Sequence, residues 1–540
     1  MQAQNGSLVS AWRARVERDP DARALVYFDG ALTARQLDEE SDALAAAFES
    51  LGTRRGDRVG VRLQNLPQSV LAFLALWKIG ATPVVLNPMY RRDELLKLVD
   101  DSGAVGVVCA HDDVAAVAAA VEGTGVRWVM GTSPTDYQTR NDPRVFPDGE
   151  AVSSSSASAG DLRELIERFR GSRPREIELT SEDIALLTYT SGTTGPPKGA
   201  MSTHGNVLAV TSSYATWVDL QAGDAVFAMA PLFHITGAVI NATIALLHDV
   251  TLVLANRFHP EVALDAFVEH GVTFTIGSIT AFNAIYQLPH ANRHHFATMK
   301  ALYSGGAPIA PAALERFEDR FGLYIHNVYG MTETSSAVIA VPLGARAPIH
   351  KPSGTLSIGV PLPGLTVGVV DTDGRALAPG EQGELELSGP QVVPGYWNKP
   401  DATAATMPGG RLRTGDGAIR DADGWIFLVD RIKDQINTSG YKVWPREIED
   451  VLYEHPAVHE SAVVGVPDDY RGETVVAYVS LKAGTSTTAD EIIEFTRERL
   501  AAYKCPRAVH IVNDLPKTET GKLRRSALRE ETAEIGDGPR

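Results

Sequence analysis

Residues 187–199 (LTYTSGTTGPPKG) concentrate groups able to hold a polyanion. Hydroxyls at Thr190, Ser191, Thr193 and Thr194 alternate with Gly192 and Gly195, and Lys198 closes the run. Glycine lets a backbone take φ > 0 and approach a ligand closely. Exposed amides and hydroxyls then donate to phosphate oxygens, and an ammonium adds a point charge. A Walker-type loop needs G-x-x-x-x-G-K-[ST]. Here Gly195 is followed by Pro196 and Lys198 by Gly199, so that motif fails.

Further segments carry chemistry only in combination. Residues 329–333 (YGMTE) join an aromatic ring to a carboxylate, but alone they equally read as a strand end and a helix cap with Thr332 capping. Residues 304–308 (SGGAP) are small enough for close ligand approach. Residues 414–416 (TGD), unaided, are a turn. Residues 516–522 (PKTETGK) alone read as a β-turn with solvated lysines.

The elements that must position these groups follow from patterning. Residues 22–131 alternate strand-like and helix-like runs: strands at 58–63, 82–86 and 105–110, helices at 67–79 and from 91 to 98. That rhythm predicts an α/β fold with mostly parallel sheets. Residues 132–161, ending in SSSSASAG, read as a mobile surface excursion. A second α/β block spans about 183–340, and a Gly/Pro-rich β stretch spans about 352–430, with hairpin candidates at GEQGELELSG and DADGWIFLVD. Helix and strand patterns resume over about 434–530, as expected of a small α+β unit.

Composition bounds the partners. The 540 residues are 44% hydrophobic and 22% charged, ordinary values for a protein with a large core. A net charge of −17 opposes nucleic acid binding, and the closest thing to a basic patch, Lys522, Arg524 and Arg525, is short. Two distant cysteines, Cys109 and Cys505, exclude a disulfide framework and suit a reducing cytoplasm. No run of about 18 apolar residues predicts a transmembrane helix. No secretory, lipidation or peroxisomal address is recognised at the termini.

Residues 188–199 resemble the signature loop of the adenylate-forming superfamily, which includes acyl-CoA synthetases, luciferases and peptide-synthetase adenylation domains. The resemblance runs from about residue 22 to 525, with further motifs in the expected order. It implies a large N-terminal domain over 1–430, whose β-rich part covers about 352–430, a hinge at 431–434, and a small mobile C-terminal domain over 435–540. It implies ATP, Mg²⁺ and coenzyme A. In this reading Thr190–Lys198 hold the β- and γ-phosphates, while Gly305, Gly306, Ala307 and Asn327 lie along the nucleotide. Tyr329 and Gly330 meet the adenine, Thr332 the α-phosphate and Glu333 the metal. Asp416 and Arg431 meet the ribose. Lys433 is the hinge, and Ser439, Gly440, Tyr441 and Lys442 approach the pantetheine. Lys522 is the catalytic lysine. Asn437 departs from relatives that carry lysine there, which argues against the luciferase and plant-type aryl branches.

Residues 231–241 and 272–282 resemble walls of the acyl pocket, to which Phe233, His234, Thr236, Gly237, Ser278, Gly305 and Met331 are assigned, with His234 near the substrate carboxylate. Neither stretch contains Lys, Arg, Asp or Glu, so a charged acyl tail has no partner there. The expected acid is therefore neutral and apolar: a medium- or long-chain fatty acid first, an aryl or arylalkanoic acid next. Gly237 and Ala238 suggest room, or else helix packing. Thr236, Ser278, Asn241 and Asn283 either meet a ring hydroxyl or bond backbone. The expected protein is a cytoplasmic monomer or homodimer acting on small molecules. The alternative is a stand-alone adenylation enzyme that loads a separate carrier protein, since little chain follows Lys522.

Overall fold

The computed structural model describes residues 6–147, 160–190, 197–307, 309–351, 354–431, 434, 436–438, 441–443, 445–468, 471–517, 523–525 and 527–529. Two large sheets form the main body. One has six strands in the order Trp128–Thr132, Ala104–Ala110, Arg58–Arg62, Thr82–Val85, Ile184–Thr190 and Lys198–Thr203, all parallel except the last. The other has nine. Its central six strands run parallel, and antiparallel strands flank both edges. Val- and Ala-rich strands suit sheets covered on both faces.

The helix Pro67–Lys78 explains how the sheets become one core. Proline at its first position is already shaped for the helix and forfeits no intrahelical donor. Every residue along it is buried, as befits a helix enclosed on all sides. Its Trp77 indole N–H donates to the Ala185 carbonyl at 2.7 Å, tying the helix to the strand Ile184–Thr190.

Residues 366–431 fold as a four-stranded antiparallel meander of Thr366–Val370, Gln382–Ser388, Leu412–Arg420 and Ile426–Arg431. Each of the two expected hairpin segments supplies one strand of this meander. Beyond it, five strands between Ile436 and Ile511 form a separate sheet with apolar clusters of its own. The expectation of a mobile excursion from 132 onward needs correction. Val145 and Phe146 are buried, the Phe146 ring sits 5.7 Å from that of Phe28, and the Tyr137 hydroxyl donates to Glu40 at 2.6 Å. Two apolar side chains and a tyrosine anchor this stretch despite its polar composition; residues 148–159 lie outside the described residues. Among the described residues, no helix is long and apolar enough to cross a membrane.

His204 opens the helix His204–Trp217, and its Nδ1 accepts the Leu8 backbone N–H at 3.2 Å. Burial pushes its pKa down to about 4. The unfolded chain therefore binds a proton that the native state refuses between pH 6.5 and 4. The stability that the neutral ring confers is complete above pH 6.5 and is lost as pH falls, amounting to about 3 kcal/mol. His204→Gln, measured by melting temperature against pH, is expected to flatten the curve across that window.

Candidate functional site

The strand Ile184–Thr190 runs three residues beyond the point where the sequence suggested a loop, because Thr188 and Tyr189 are buried and the Tyr189 hydroxyl donates to Asp101 at 2.7 Å. Lys198 ends the run at the start of the antiparallel return strand Lys198–Thr203, directly opposite Thr190. The polyanion motif is thus the tip of a β-hairpin, unlike a Walker loop, which leads into a helix. Ser191, Gly192, Thr193, Thr194 and Gly195 lie outside the described residues.

The strand Ile325–Met331 of the nine-stranded sheet ends in one turn of 3₁₀ helix, Thr332–Thr334. The cap is Thr334, whose hydroxyl accepts the Met331 N–H at 3.0 Å and donates to the Ser336 carbonyl at 2.6 Å, not Thr332 as in the alternative reading of the motif alone. Ser335 (φ 52°) and Ser336 (φ 117°) follow in left-handed conformations that non-glycine residues rarely adopt. The cost is borne because the Ser335 hydroxyl is held by Ser202 of the return strand, 3.1 Å away and buried. The Glu333 turn is thereby locked onto the hairpin.

Glu333 is itself buried, and its Oε1 accepts the Tyr396 hydroxyl at 2.6 Å. Burial and the neighbouring carboxylate push the Tyr396 phenol well above its usual pKa, so it stays a donor. The Lys198 ammonium stands 5.2 Å from the Tyr396 ring centroid. Glu333, Tyr396 and Lys198 therefore form one chain of contacts. Among the described residues, no group of three His, Cys, Asp or Glu side chains stands ready for a metal. One buried carboxylate suits Mg²⁺, which keeps several waters and takes its remaining oxygens from substrate phosphates.

A second pair lies on the same strand. The Tyr329 hydroxyl donates to Asp416 at 2.6 Å, joining the strand end to the meander, where Asp416 faces Arg431 in register. Burial and Asp416 raise the Tyr329 pKa well above normal. Neighbouring Ala301–Gly305 pairs in parallel with this strand, Gly305 opposite Val328. A Cβ at Gly305 would sit 2.4 Å from the Val328 carbonyl oxygen, so the sheet itself requires glycine there. Gly306 follows with φ 81°, and Ala307 lies beside it, half-buried. The Asn327 amide donates to the Ser357 carbonyl at 3.0 Å and its oxygen accepts the Val328 N–H, so this side chain serves the fold.

The acyl-wall candidates flank a seven-residue π-helix, Gly237–Thr243, buried throughout. π-Helical turns are rare and recur at functional sites. Phe233, His234 and Thr236 are half-buried before it, and the Thr236 N–H donates to His234 Nδ1 at 3.3 Å. Ser278 caps the helix Ile279–Gln287, and the Asn241 amide donates to the Ala230 carbonyl. Met331 Sδ lies 3.8 Å from the Tyr329 hydroxyl. Gly237 does not open space: a Cβ there would lie 1.9 Å from the Pro231 carbonyl oxygen. Gly237→Ala is expected to destabilise the protein by about 1–3 kcal/mol, as overpacking against backbone does, without shortening the preferred acyl chain. Melting temperature and a chain-length profile check both halves.

Lys433, Ser439, Gly440 and Lys522 lie outside the described residues. Tyr441 and Lys442 belong to the strand Tyr441–Val443, with Lys442 opposite Asn437. Sequence reading missed Tyr396, whose only signal is an aromatic residue after glycine in the β-rich stretch (PGYW, 394–397). It also missed Ser202 and Ser335.

Residues 12–397 match the AMP-binding enzyme family and residues 447–522 match the AMP-binding enzyme C-terminal domain. The long-chain-fatty-acid–CoA ligase of Bacillus subtilis (strain 168) is 34% identical over 541 residues, covering 98% of this chain and 95% of its own. The feruloyl-CoA synthase of Amycolatopsis sp is 33% identical over 522 residues, covering 96% and 98%. The crystal structure of ATP-bound MatB from Rhodopseudomonas palustris superposes with a TM-score of 0.87 at 26% identity, covering 98% of this chain and all of that one. With both parts matched in order and full-length relatives above 30% identity, the chain belongs to the AMP-binding enzyme family.

Proposed function

We propose that this protein is an ATP-dependent acyl-CoA synthetase acting on an apolar monocarboxylic acid, with a medium- or long-chain fatty acid the favoured substrate. The observation that carries the reading is the convergence of Lys198, from one sheet, and Glu333, from the other, on the two faces of Tyr396 chemistry: ring and hydroxyl. A cation and a buried carboxylate in such proximity suit a metal-bound triphosphate. Tyr329 beside Asp416 adds a flat face and an acceptor within the length of one nucleoside.

In the first step a carboxylate oxygen attacks the α-phosphorus of ATP, forming the mixed acyl–phosphate anhydride bond and expelling pyrophosphate. Thr190, the hairpin tip and Lys198 hold the β- and γ-phosphates. Thr332 meets the α-phosphate, and Asp416 with Arg431 holds the ribose. Glu333 would hold Mg²⁺, which would supply positive charge against the phosphates. His234 stands near the reacting carboxylate, and Lys522 balances carboxylate against α-phosphate. In the second step the CoA sulfur attacks the acyl carbon, the thiol proton is released and AMP leaves. The two steps need different groups around one carbon, and rotation of residues 435–540 about 431–434, with Lys433 the pivot, supplies them in turn. Ser439, Gly440, Tyr441 and Lys442 then guide pantetheine.

The uncharged walls 231–241 and 272–282 support an apolar tail, and the name of the Bacillus subtilis relative supports a long one. A specific observation favours an aryl acid as the second reading: among the described residues, the buried Asn241 Oδ1 has no hydrogen-bond partner, and a ring hydroxyl would complete it. The feruloyl-CoA synthase relative agrees. Both cysteines are free and buried, in keeping with a cytoplasmic enzyme, monomeric or homodimeric. Incubation with ATP, Mg²⁺, CoA and a panel of fatty and hydroxyaryl acids tests the proposal. Acyl-CoA, AMP and pyrophosphate in equal amounts are expected with fatty acids. Adenylate that accumulates without thioester until a carrier protein is added would instead assign the enzyme to carrier loading.

A further inference from the structure

We propose that Tyr396 is a positioning residue for adenylation: its hydroxyl aims the Glu333 carboxylate and its ring seats the Lys198 ammonium. The inference rests on the reading that Glu333 and Lys198 serve the metal-bound triphosphate. No distance on its own suggests it; the combination does. The phenol donates to Oε1 of Glu333 at 2.6 Å, which fixes the orientation of the carboxylate. The same ring lies 5.2 Å from Lys198 Nζ, close enough for cation–π attraction.

The backbone around Tyr396 permits little drift. Tyr396 bridges Ala200, the Trp397 N–H donates to the Gly199 carbonyl at 2.7 Å, and the Met201 N–H donates to the Gly395 carbonyl at 3.1 Å. The loop is thus laid against the return strand immediately after Lys198. The Glu333 carbonyl accepts the Val393 N–H at 2.9 Å, which fixes the other side. Were Tyr396 only packing, the phenol–carboxylate bond would affect stability alone. A positioning role makes the cation dependence of nucleotide binding the sensitive quantity. A hydrogen bond to a buried charge is worth about tenfold or more in an equilibrium.

Calorimetric titration of ATP, with and without Mg²⁺, into wild type, Tyr396→Phe, Tyr396→Leu and Glu333→Gln tests the inference. Tyr396→Phe keeps the ring, so metal-free ATP is expected to bind within about twofold of wild type while Mg-ATP binds about tenfold more weakly. Its thioesterification of supplied acyl-AMP falls far less than its adenylation. Tyr396→Leu also removes the seat of Lys198, so both forms of ATP bind more weakly. If Tyr396→Phe binds Mg-ATP like wild type while Glu333→Gln does not, the inference falls and the functional reading stands. If Glu333→Gln is also unaffected, the assignment of Glu333 falls and this inference with it. A lowered melting temperature with equal losses in both half-reactions marks a packing role and overturns the proposal.

Discussion

Lys522→Ala is expected to slow adenylation by about 10²–10³-fold, the loss typical of one oriented electrostatic donor, and to spare thioesterification of supplied acyl-AMP. The reason is charge. An anionic acid must meet an anionic phosphate, and each repels the other. At about 4 Å and an effective dielectric near 20, an ammonium contributes on the order of 4 kcal/mol of attraction, against about 1 kcal/mol in open water. In the proposed mechanism the lysine is therefore worth most when water is excluded around the nucleotide. Once the adenylate has formed, the carboxylate charge is gone and the same ammonium has little left to offset. Single-turnover measurement of each half-reaction separates the cases. Equal losses in both would remove Lys522 from the role.

Lys78→Met is expected to bring the largest loss of stability, about 3–5 kcal/mol, because it strands the buried Asp42 carboxylate beside the half-buried Asp38. Lys78 is 2% exposed at the end of an otherwise apolar helix. Its ammonium donates to Asp42 at 2.6 Å, to the Asp38 carboxylate at 2.7 Å, and to the Asp38 carbonyl and the Ser41 hydroxyl at 2.8 Å each. Asp38 would keep the Trp12 indole N–H at 2.8 Å, while Asp42 would keep Arg173, 3.8 Å away. Asp42→Asn in the same chain is expected to restore part of the loss by removing the worse-placed charge. Chemical denaturation of both variants measures it; a Lys78→Met protein as stable as wild type would mean that those carboxylates relax into water at no cost. The consequence reaches the hairpin, because the neighbouring Trp77 ties this helix to the strand that carries Thr190.

Sequence proved readable where one segment carries its own signal. The alternating apolar runs before residue 131 foretold the parallel sheet, since each strand and helix is patterned locally. Residues 187–199 and 329–333 announced themselves because hydroxyls, glycines, a ring and a carboxylate crowd short stretches. What stayed hidden depends on partners far along the chain. Nothing in a lone tyrosine at 396 says that it will reach Glu333, and nothing in Lys78 distinguishes a buried ion cluster from a solvated last turn. Gly237 was misleading for a related reason: a small residue signals close approach, yet only the fold says that the approaching atom is the Pro231 carbonyl and not an acyl chain. The polar stretch after residue 132 misled because composition averages away the two side chains, Val145 and Phe146, that anchor it.

Exchange of labelled pyrophosphate into ATP without CoA tests most directly whether this site joins ATP to an acid. Exchange is expected only when an apolar acid is present, strongest with a fatty acid, and absent when no acid is added. Exchange with no acid, or none with any acid across fatty and aryl panels, would contradict adenylate formation at the Lys198–Glu333 site.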